Sequence, residues 1–242
     1  MTEESLNQTE RLRLEKQYNE MAVLAGGLAH EIRNPLSTIH MNLELLFEEI
    51  EESEDPAAHR MLRKLKTIQD QCENLEEILE AFLQFTRAGE LHLEGVNIAN
   101  VVREFLEFYK AEAEERGIEV RPHLRSDLPV VELDVRLIKQ VLTNLVQNAQ
   151  QAMPEGGLLE LQTSQRDDQI ILEIIDTGCG MSPKALEKMF QVFFSTKPSG
   201  SGLGLPTVRK IVEAHQGTIQ CESELNRGSK FSLSFPIHRK GH

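Results

Sequence analysis

Residues 28–50 read LAHEIRNPLSTIHMNLELLFEEI, and the spacing of their apolar side chains decides the fold of the N-terminal part of the chain. Apolar or small residues recur at every third or fourth position, as they do along one face of an α-helix. The same spacing begins upstream of this stretch. The full seam is Leu14, Tyr18, Met21, Ala25, Leu28, Ile32, Leu36, Ile39, Leu43, Leu46 and Ile50. This pattern predicts one long amphipathic helix.

A second apolar seam follows after a polar break. The break, EESEDPAAH at residues 51–59, combines Pro56 with a cluster of acidic side chains, which is typical of a turn. The second seam consists of Met61, Leu65, Ile68, Cys72, Leu75, Leu79 and Phe82. The two seams predict a helical hairpin. Because a hairpin cannot bury a continuous apolar stripe by itself, we expect two copies to pair as a four-helix bundle in a homodimer. Packing of the hairpin on the rest of its own chain is the alternative.

The sequence pattern changes near residue 91, where a short linker at residues 87–94 predicts a domain boundary. We assign residues 1–90 to a helical dimerisation domain, in which residues 1–21 form a candidate signalling helix. Residues 91–242 form the second domain, which alternates helix-like and strand-like runs. The predicted fold class is therefore α+β: an N-terminal helical hairpin followed by a two-layer α/β sandwich, with a mixed sheet and helices on one face.

Periodicity and turn signals predict the elements of the second domain. The predicted helices are Ile98–Glu115, Val135–Ala152 with Asp134 as its N-cap, and one that ends near His215 and Gln216. The predicted strands are Ile118–Leu124, Leu158–Thr163, Ile170–Ile175, Thr218–Glu222 and Lys230–Phe235. Short polar turns join the later strands in pairs, so they are expected to pair as hairpins within the sheet.

Composition excludes several classes of protein. The chain has 242 residues and a formal net charge of −13, which disfavours non-specific binding to nucleic acid. Its longest run without a charged residue, Gln140–Pro154, is too short and too polar for a membrane-spanning helix. The charged N-terminus lacks the apolar core of a secretory signal. Cys72, Cys179 and Cys221 form no CxxC pair, as expected for reduced thiols. A cytoplasmic location is therefore expected.

The first group of candidate functional residues is HEIRNP at residues 30–35. His30 lies between two seam positions, so its imidazole should point away from the bundle core into water. An exposed imidazole acts as a nucleophile when a neighbouring base removes or orients its ring proton, and Glu31 is the adjacent carboxylate. Asn34 lies one turn further along the same helical face, where it is placed to orient a water or a phosphoryl group. A lone surface histidine is usually only solvated, so a function for His30 requires a phosphate donor elsewhere.

Two asparagines on a predicted helix are the first candidates for holding that donor. In TNLVQNAQQAM, residues 143–153, Asn144 and Asn148 lie four residues apart on one helical face. Two amide oxygens placed in this way suit a hydrated hard cation that bridges phosphates. The alternative is a pair of surface asparagines that meet only solvent.

Two glycine-rich segments complete the candidate donor site. In IIDTGCGM, residues 174–181, a strand ends at Asp176 beside Gly178 and Gly180, so a carboxylate at the sheet edge is free to accept a hydrogen bond from an exocyclic amine. A plain turn from strand to helix is the alternative for this segment. In PSGSGLGLP, residues 198–206, three alternating glycines precede a helix, whose N-terminal N–H groups and dipole favour phosphate. Linkers share this glycine pattern.

Together, and in this order, these segments closely resemble the motifs of the sensor histidine kinases of two-component systems. HEIRNP is similar to the H-box, NLVQNA to the N-box, DTGCG to the first glycine box, MFQVFFSTK to the F-box region and GSGLGL to the second glycine box. The resemblance covers residues 10–237. The short segment between the glycine boxes is most similar to that of the nitrogen-regulatory kinases, which have a compact ATP lid. Phe190, Phe193 and Phe194 are expected to pack this lid against the sandwich.

The resemblance implies a binding site for ATP and Mg²⁺ in a sandwich similar to that of gyrase and mismatch-repair ATPases. Asn148 would be the principal Mg²⁺ ligand, with Asn144 nearby. Asp176 would recognise the adenine amine, and Gly178 and Gly180 would let the base approach. The residues expected around the triphosphate are Lys197, Gly200, Gly202, Leu203 and Gly204.

The activity implied by the resemblance is transfer of the γ-phosphoryl group of ATP to His30, with Glu31 as general base, and then to an aspartate of a separate response regulator. Asn34 implies a second activity as a regulator phosphatase. Gln151 stands where many relatives have a basic residue, so one contact in the nucleotide site is expected to be missing or neutral.

Two other functions are compatible with parts of the sequence. An ATPase or anti-sigma-type protein kinase would share only the sandwich, and it would leave the HEIRNP hairpin without a role. A noncatalytic dimeric nucleotide-binding scaffold would have a vestigial pocket, which the intact Asn148 and Asp176 argue against. Five histidines outside the motifs show no metal-ligand spacing and are expected to be solvated or to cap helices. These five are His40, His59, His92, His123 and His215.

Overall fold

The computed structural model describes residues 32–33, 35–47, 50, 56–87, 91–197 and 200–237. These residues divide into two compact units. The helical unit comprises the described residues up to Arg87, together with residues 197 and 200–201. The sandwich unit comprises the other described residues.

The helical unit contains two helices. The first, α1, is described at residues 32–33, 35–47 and 50, and the second, α2, spans Pro56–Arg87. The Arg33 guanidinium (Nη2) lies 3.1 Å from the Glu80 carboxylate (Oε2), which joins the two helices through a solvent-exposed ion pair. Such an exposed pair contributes at most about 1 kcal/mol, so the helices are held mainly by their apolar contacts.

Each predicted seam proves to be two rows of side chains rather than one stripe. The buried members are Leu36 and Leu43 of α1 and Cys72 and Leu79 of α2. Alternate members, spaced seven residues apart, are exposed: Ile32, Ile39 and Leu46 on α1, and Met61, Ile68 and Leu75 on α2. Steps of three and four residues alternate along the described part of each seam, so its members form two rows that each repeat every seven residues, like positions a and d of a heptad. The hairpin therefore buries one row and leaves the other at its surface.

The sandwich unit contains the remaining elements in mixed order. In chain order they are β1 Glu94–Val96, α3 Ile98–Glu115, β2 Ile118–His123, β3 Val131–Leu133, α4 Val135–Ala152, β4 Gly157–Arg166, β5 Gln169–Asp176, α5 Pro183–Lys188, α6 Gly204–Ala214, β6 Thr218–Glu224 and β7 Gly228–Pro236. The predicted helices at Ile98–Glu115 and Val135–Ala152 are confirmed at both ends, and each predicted strand is confirmed to within three residues at either end.

A five-stranded mixed sheet organises the unit, with strand order β2-β4-β5-β7-β6. β2 pairs with β4 in parallel, and the other neighbours are antiparallel. Alternate residues of the central strands, such as Leu172 and Leu233, are fully buried together with apolar residues of α3, α4 and α6. The opposite face carries polar side chains, including Glu173, which forms a 2.7 Å ion pair with Lys230. The α+β class, with helices on one face of a mixed sheet, is thereby confirmed.

Three short elements were not predicted. β1 and β3 form a separate two-stranded antiparallel sheet, and α5 is a single six-residue helix. Strands of three residues and a helix of fewer than two turns show too few repeats for periodicity to identify them. Among the helices in the described part of the chain, none combines the length and the hydropathy that crossing a bilayer requires.

The predicted N-cap of α4 is confirmed by its geometry. The Asp134 carboxylate (Oδ1) accepts a hydrogen bond from the N–H of Leu137 at 3.1 Å. Its other oxygen (Oδ2) accepts from the N–H of His92 at 3.0 Å, so one buried side chain caps α4 and fixes the segment that leads into β1. Burial alone would raise the pKa of Asp134. The N–H donors of His92 and Leu137, together with the charges of Arg136 and His215, outweigh burial and lower this pKa. The cap is therefore a carboxylate near neutral pH.

Candidate functional site

One side of α4 presents the two predicted asparagines. Asn144 and Asn148 are half-buried and lie one turn apart, whereas Leu145 and Val146 of the same helix are buried in the core. The positions follow from the apolar pattern of α4, which leaves one flank of the helix at the edge of the core. Gln151 lies nearly one turn further on and is exposed. The predicted pair of amide side chains is thus on one face of one helix.

The N-terminus of α6 lies directly beside Asn144. A Cβ atom added to Gly204, the first residue of α6, would be 3.4 Å from the Asn144 amide oxygen. Leu203 stands at the N-cap position of α6, is fully buried, and has an apolar side chain that forms no capping hydrogen bond. The N–H groups at a helix N-terminus have no partner within the helix and form hydrogen bonds to anions readily. The second glycine box therefore places a helix N-terminus against the N-box helix.

Gly202 connects this N-terminus to the preceding segment. Its φ of +68° favours glycine, and an added Cβ would be 2.5 Å from the carbonyl carbon of Phe193. Its carbonyl accepts a hydrogen bond from the Phe193 N–H at 3.1 Å. The Phe193 side chain itself is 64% exposed, so the expectation that it packs the lid against the sandwich is wrong. Phe190 is half-buried, with the Arg209 guanidinium 5.6 Å from its ring centre.

Asp176 lies at the end of β5 and is 5% exposed. Its carboxylate (Oδ1) accepts a hydrogen bond from the N–H of Gly178 at 2.9 Å. This bond bends the chain away from the sheet immediately after the strand. Burial, with the charges of Asp176 and Glu222, raises the pKa of the nearby Cys221 thiol to about 12. The thiol is therefore protonated at neutral pH, and Asp176 is the group in this corner suited to accept hydrogen bonds.

The loop after Asp176 packs on the C-terminal end of α4. A Cβ at Gly178 would be 2.6 Å from the Ala152 methyl group, and the Cys179 N–H donates to the Ala152 carbonyl at 3.0 Å. Gly180 has a φ of +64°, and a Cβ there would overlap the carbonyl oxygen of Glu224. Contacts within the protein thus explain both glycines. Approach of a base past them remains a prediction.

Three candidate groups therefore line one side of α4. The N-terminus of α6 meets residue 144, the loop after Asp176 meets residue 152, and Asn148 lies between them. At 1.5 Å per residue, positions 144 and 152 are about 12 Å apart. A buried carboxylate at one end and a helix N-terminus at the other suit a ligand with a hydrogen-bonding ring at one end and an anionic group at the other.

The residues predicted for a metal ion fit magnesium bound through a nucleotide. Asn144 and Asn148 offer hard amide oxygens, which Mg²⁺ accepts alongside phosphate and water ligands. Within the described part of the chain, no three His, Cys, Asp or Glu side chains lie close enough together to hold a metal ion. A protein-only metal cage is therefore not found among these residues, whereas a site completed by phosphates matches the donor set.

The remaining predicted residues belong to other parts of the chain. His30, Glu31 and Asn34 lie outside the described residues. Lys197 and Gly200 belong to the helical unit, where the Gly200 N–H donates to the Lys197 carbonyl at 3.3 Å. Their roles toward a nucleotide remain predictions.

Comparisons with known proteins agree with this description. Residues 20–91 match the family model of the His Kinase A (phospho-acceptor) domain. Residues 133–239 match the family model of the histidine kinase-, DNA gyrase B-, and HSP90-like ATPase. The chain is 33% identical over 215 residues to the sensor histidine kinase ZraS of Escherichia coli (strain K12), an alignment covering 89% of this chain and 45% of ZraS.

Two solved structures extend the comparison to the fold. Full-length ShkA in complex with AMPPNP is similar with a TM-score of 0.68 and 28% identity, over 88% of this chain and 45% of ShkA. The histidine kinase ThkA in complex with the response regulator protein TrrA is similar with a TM-score of 0.67 and 26% identity, over 97% of this chain and 67% of that chain. The chain spans less than half the length of the curated relatives it matches. With both family domains in order and a matching fold, the chain belongs to the sensor histidine kinases and corresponds to their catalytic core.

Proposed function

We propose that this chain binds ATP along α4 and transfers its γ-phosphoryl group to His30, and from there to an aspartate of a response regulator. The observation that carries the proposal is the alignment of Asp176, Asn148 and the N-terminus of α6 along one side of α4. The match of residues 20–91 to a phospho-acceptor domain supports His30 as the acceptor. We accordingly assign phosphotransfer and dimerisation to residues 1–90 and nucleotide binding to residues 91–242.

Asp176 is proposed to select adenine. A buried carboxylate accepts hydrogen bonds but donates none, so it favours the 6-amino group of adenine and disfavours the 6-oxo group of guanine. The Gly178 N–H holds one carboxylate oxygen at 2.9 Å and so fixes the direction in which the carboxylate points. Gly178 and Gly180 keep the loop close to α4 and to the turn after β6.

The N-terminus of α6 is proposed to bind the phosphates. A helix N-terminus carries the positive end of the helix dipole and interacts favourably with anions, and the N-cap residue Leu203 brings no polar side chain that would compete for the N–H groups. The residues proposed to bracket the triphosphate are Gly200, Gly202, Leu203 and Gly204. Lys197 is proposed to add a positive charge, and Gln151 a neutral contact. Asn148, with Asn144 nearby, is proposed to hold Mg²⁺, which when bound would neutralise phosphate charge.

The transfer itself requires little chemistry from the protein beyond positioning and proton removal. A ring nitrogen of His30 attacks the γ-phosphorus, the bond from that phosphorus to the β–γ bridging oxygen breaks, and ADP leaves. Glu31 takes the proton that the imidazole loses. The phosphoryl group on imidazole remains reactive enough to pass to a carboxylate. We propose a response regulator as acceptor, supported by the ThkA–TrrA complex, and the cytoplasm, where ATP is available, as location.

The exposed heptad rows of the hairpin support a homodimer. Ile39 and Ile68 are 42% and 47% exposed, and their rows repeat every seven residues. A second copy of the hairpin would cover both rows in a four-helix bundle. Removing these side chains from water would contribute about 25 cal/mol per Å² of apolar surface.

Replacing Ile39 and Ile68 with glutamate should convert a dimer to a monomer, because the charges would be buried without partners at the interface. Sedimentation of the whole chain measures the change. Ser37→Glu is the matched control, because Ser37 is an exposed polar residue outside these rows and its replacement should leave the dimer intact. A parent chain that sediments as a monomer at micromolar concentrations would contradict the dimer.

Peptide mapping after incubation with Mg²⁺ and ATP tests the acceptor. At alkaline pH, where phosphohistidine is stable, we expect the phosphoryl group on the peptide that contains His30. The other histidines, such as His40, His92 and His123, should remain unmodified. A phosphoryl group that survives acid, or that maps to another residue, would contradict the assignment. Binding of ATP without any phosphoryl transfer would favour the noncatalytic scaffold instead.

A further inference from the structure

A buried histidine joins the far ends of the two helices that form the proposed nucleotide site. His215 is the C-cap of α6 and is 4% exposed. Its Nδ1 lies 2.7 Å from the Ile211 carbonyl oxygen, and its Nε2 lies 2.9 Å from the backbone nitrogen of Asp134. The Ile211 carbonyl only accepts, so Nδ1 carries the proton, and Nε2 accepts from the Asp134 N–H. The ring is therefore neutral, in a single tautomer.

The two contacts between these helices set their register. α6 begins beside Asn144 and ends at the residue whose ring binds Asp134, so the helices run antiparallel. Residues 134–144 and 204–215 each span about 15 to 17 Å at 1.5 Å per residue, so the contacts lie at matched distances. Between them the helices meet through buried apolar residues, including Val208 and Ile211 of α6. Apolar contacts are non-directional, whereas a hydrogen bond fixes the distance and direction between two atoms, so the bond from Asp134 to His215 adds a constraint on the sliding of one helix along the other.

We propose that neutral His215 is a positioning residue, which holds α6 in register with α4 so that the N-terminus of α6 stays beside Asn144. This inference rests on the proposed function, because the position of that N-terminus matters only if it binds phosphate. His215 does not touch the nucleotide site itself. His215 lies at the opposite end of α6, about 16 Å from Gly204, and affects the nucleotide site by holding the whole helix in place.

Protonation of His215 would break this contact. A proton on Nε2 would face the Asp134 N–H, and two donors cannot bond to each other. The charged groups nearby are the Asp134 carboxylate and, 3.7 Å from it, Arg136. On α6 itself, Glu213 is exposed and pairs with Arg209 at 2.7 Å. On β7, the uncharged ring of Phe235 faces His215, and the two ring centres lie 6.3 Å apart. The backbone N–H of His92 donates to the Asp134 carboxylate.

The direction of the pH effect follows from burial. Burial lowers the pKa of His215, and the Ile211 carbonyl and the Asp134 charge only partly oppose it. In the unfolded chain the pKa returns to about 6.5. Between the lowered pKa of the folded state and about pH 6.5, the unfolded state therefore binds more protons than the folded state. The free energy of unfolding decreases as the pH is lowered through this window. The contribution of neutral His215 is complete above pH 6.5 and is lost as pH falls toward the lowered pKa of the folded state.

Two variants, His215→Gln and His215→Asn, test the hydrogen bond to Asp134 and the hydrogen bond to Ile211 separately. Glutamine keeps an acceptor at the position of Nε2 but does not titrate, whereas asparagine keeps only a donor at the position of Nδ1. At pH 8 we expect His215→Gln to bind Mg·ADP within about twofold of the parent and His215→Asn to bind it about tenfold more weakly. Adenosine, which has no phosphate, should bind equally to all three. Circular dichroism checks that the compared proteins are folded.

Urea unfolding at pH 8 and pH 5.5 tests the protonation step independently of nucleotide. The midpoint of the parent should fall more over this range than that of His215→Gln. His123→Gln removes an exposed histidine and should follow the parent. Equal pH dependence of the parent and His215→Gln would overturn the neutral contact, and parent-like ADP affinity in folded His215→Asn would overturn the positioning role. A parent with the expected pH-dependent unfolding that binds no nucleotide would contradict the proposed function and the positioning role with it.

Discussion

Asp176→Asn should weaken the binding of Mg·ATP by about 100-fold while leaving the fold intact. Asparagine keeps an oxygen that can accept from the Gly178 N–H, so the bend after β5 is preserved. It replaces the other carboxylate oxygen with an NH₂ group, which would face the amino group of adenine. Two donors that face each other in a buried site cannot form a hydrogen bond, and leaving both without an acceptor costs binding free energy. Equilibrium titration with Mg·ATP measures the loss.

Inosine triphosphate provides the matched probe for this substitution. Its 6-oxo group accepts a hydrogen bond, so it suits asparagine and not aspartate. We expect the parent to prefer ATP and Asp176→Asn to reverse that preference, with unfolding midpoints that agree closely. Equal weakening for both nucleotides would show that Asp176 does not read the 6-substituent. Unchanged affinity for ATP would place the adenine elsewhere.

Gly180→Ala should destabilise the sandwich by about 3 kcal/mol. The residue has a φ of +64°, which costs an L-residue about 1–2 kcal/mol, and the new methyl group would overlap the Glu224 carbonyl. The loop cannot simply move, because the Asn226 N–H donates to the Cys179 carbonyl at 2.7 Å and the Cys179 N–H to Ala152 at 3.0 Å. Denaturant unfolding of the purified variant measures the loss.

Gly204→Ala is the matched control for stability. Gly204 lies in a normal helical conformation, and its new methyl group would meet only the Asn144 amide, at 3.4 Å. Alanine is favoured over glycine in helices by about 0.5–1 kcal/mol, so this variant should be at least as stable as the parent. Equal stability of the two variants would contradict the packing role assigned to Gly180.

The longer elements and the ordered motifs could be predicted because they repeat a strong local signal. The helix Val135–Ala152 has a clear apolar period and a capping aspartate, and both ends agree with the structure. The seams of the hairpin were predicted as one stripe, because a spacing of threes and fours does not distinguish the row buried within one hairpin from the row left exposed. The structure separates the two rows, because Leu36 is buried whereas Ile39 is exposed.

Contacts between residues that lie far apart in the sequence could not be predicted, for a physical reason. His215 was expected to be solvated or to cap a helix. It does cap α6, but it is buried, and its bond to Asp134 joins residues 81 positions apart. A spacing in sequence carries no information about such a pair. In the same way, the contact of Gly178 with Ala152 explains a glycine that the motif alone assigned to the approach of a base.

The most direct measurement follows the label from γ-labelled ATP in the parent, His30→Gln and Asp176→Asn side by side with Mg²⁺. We expect acid-labile, base-stable label on the parent only. His30→Gln should bind ATP with the affinity of the parent and yet take up no label, because only the acceptor is lost. Asp176→Asn should bind ATP too weakly to take up label when the ATP concentration is close to the dissociation constant of the parent. Label that persists in His30→Gln, or that is stable to acid, would contradict phosphoryl transfer from a nucleotide held along α4 to His30.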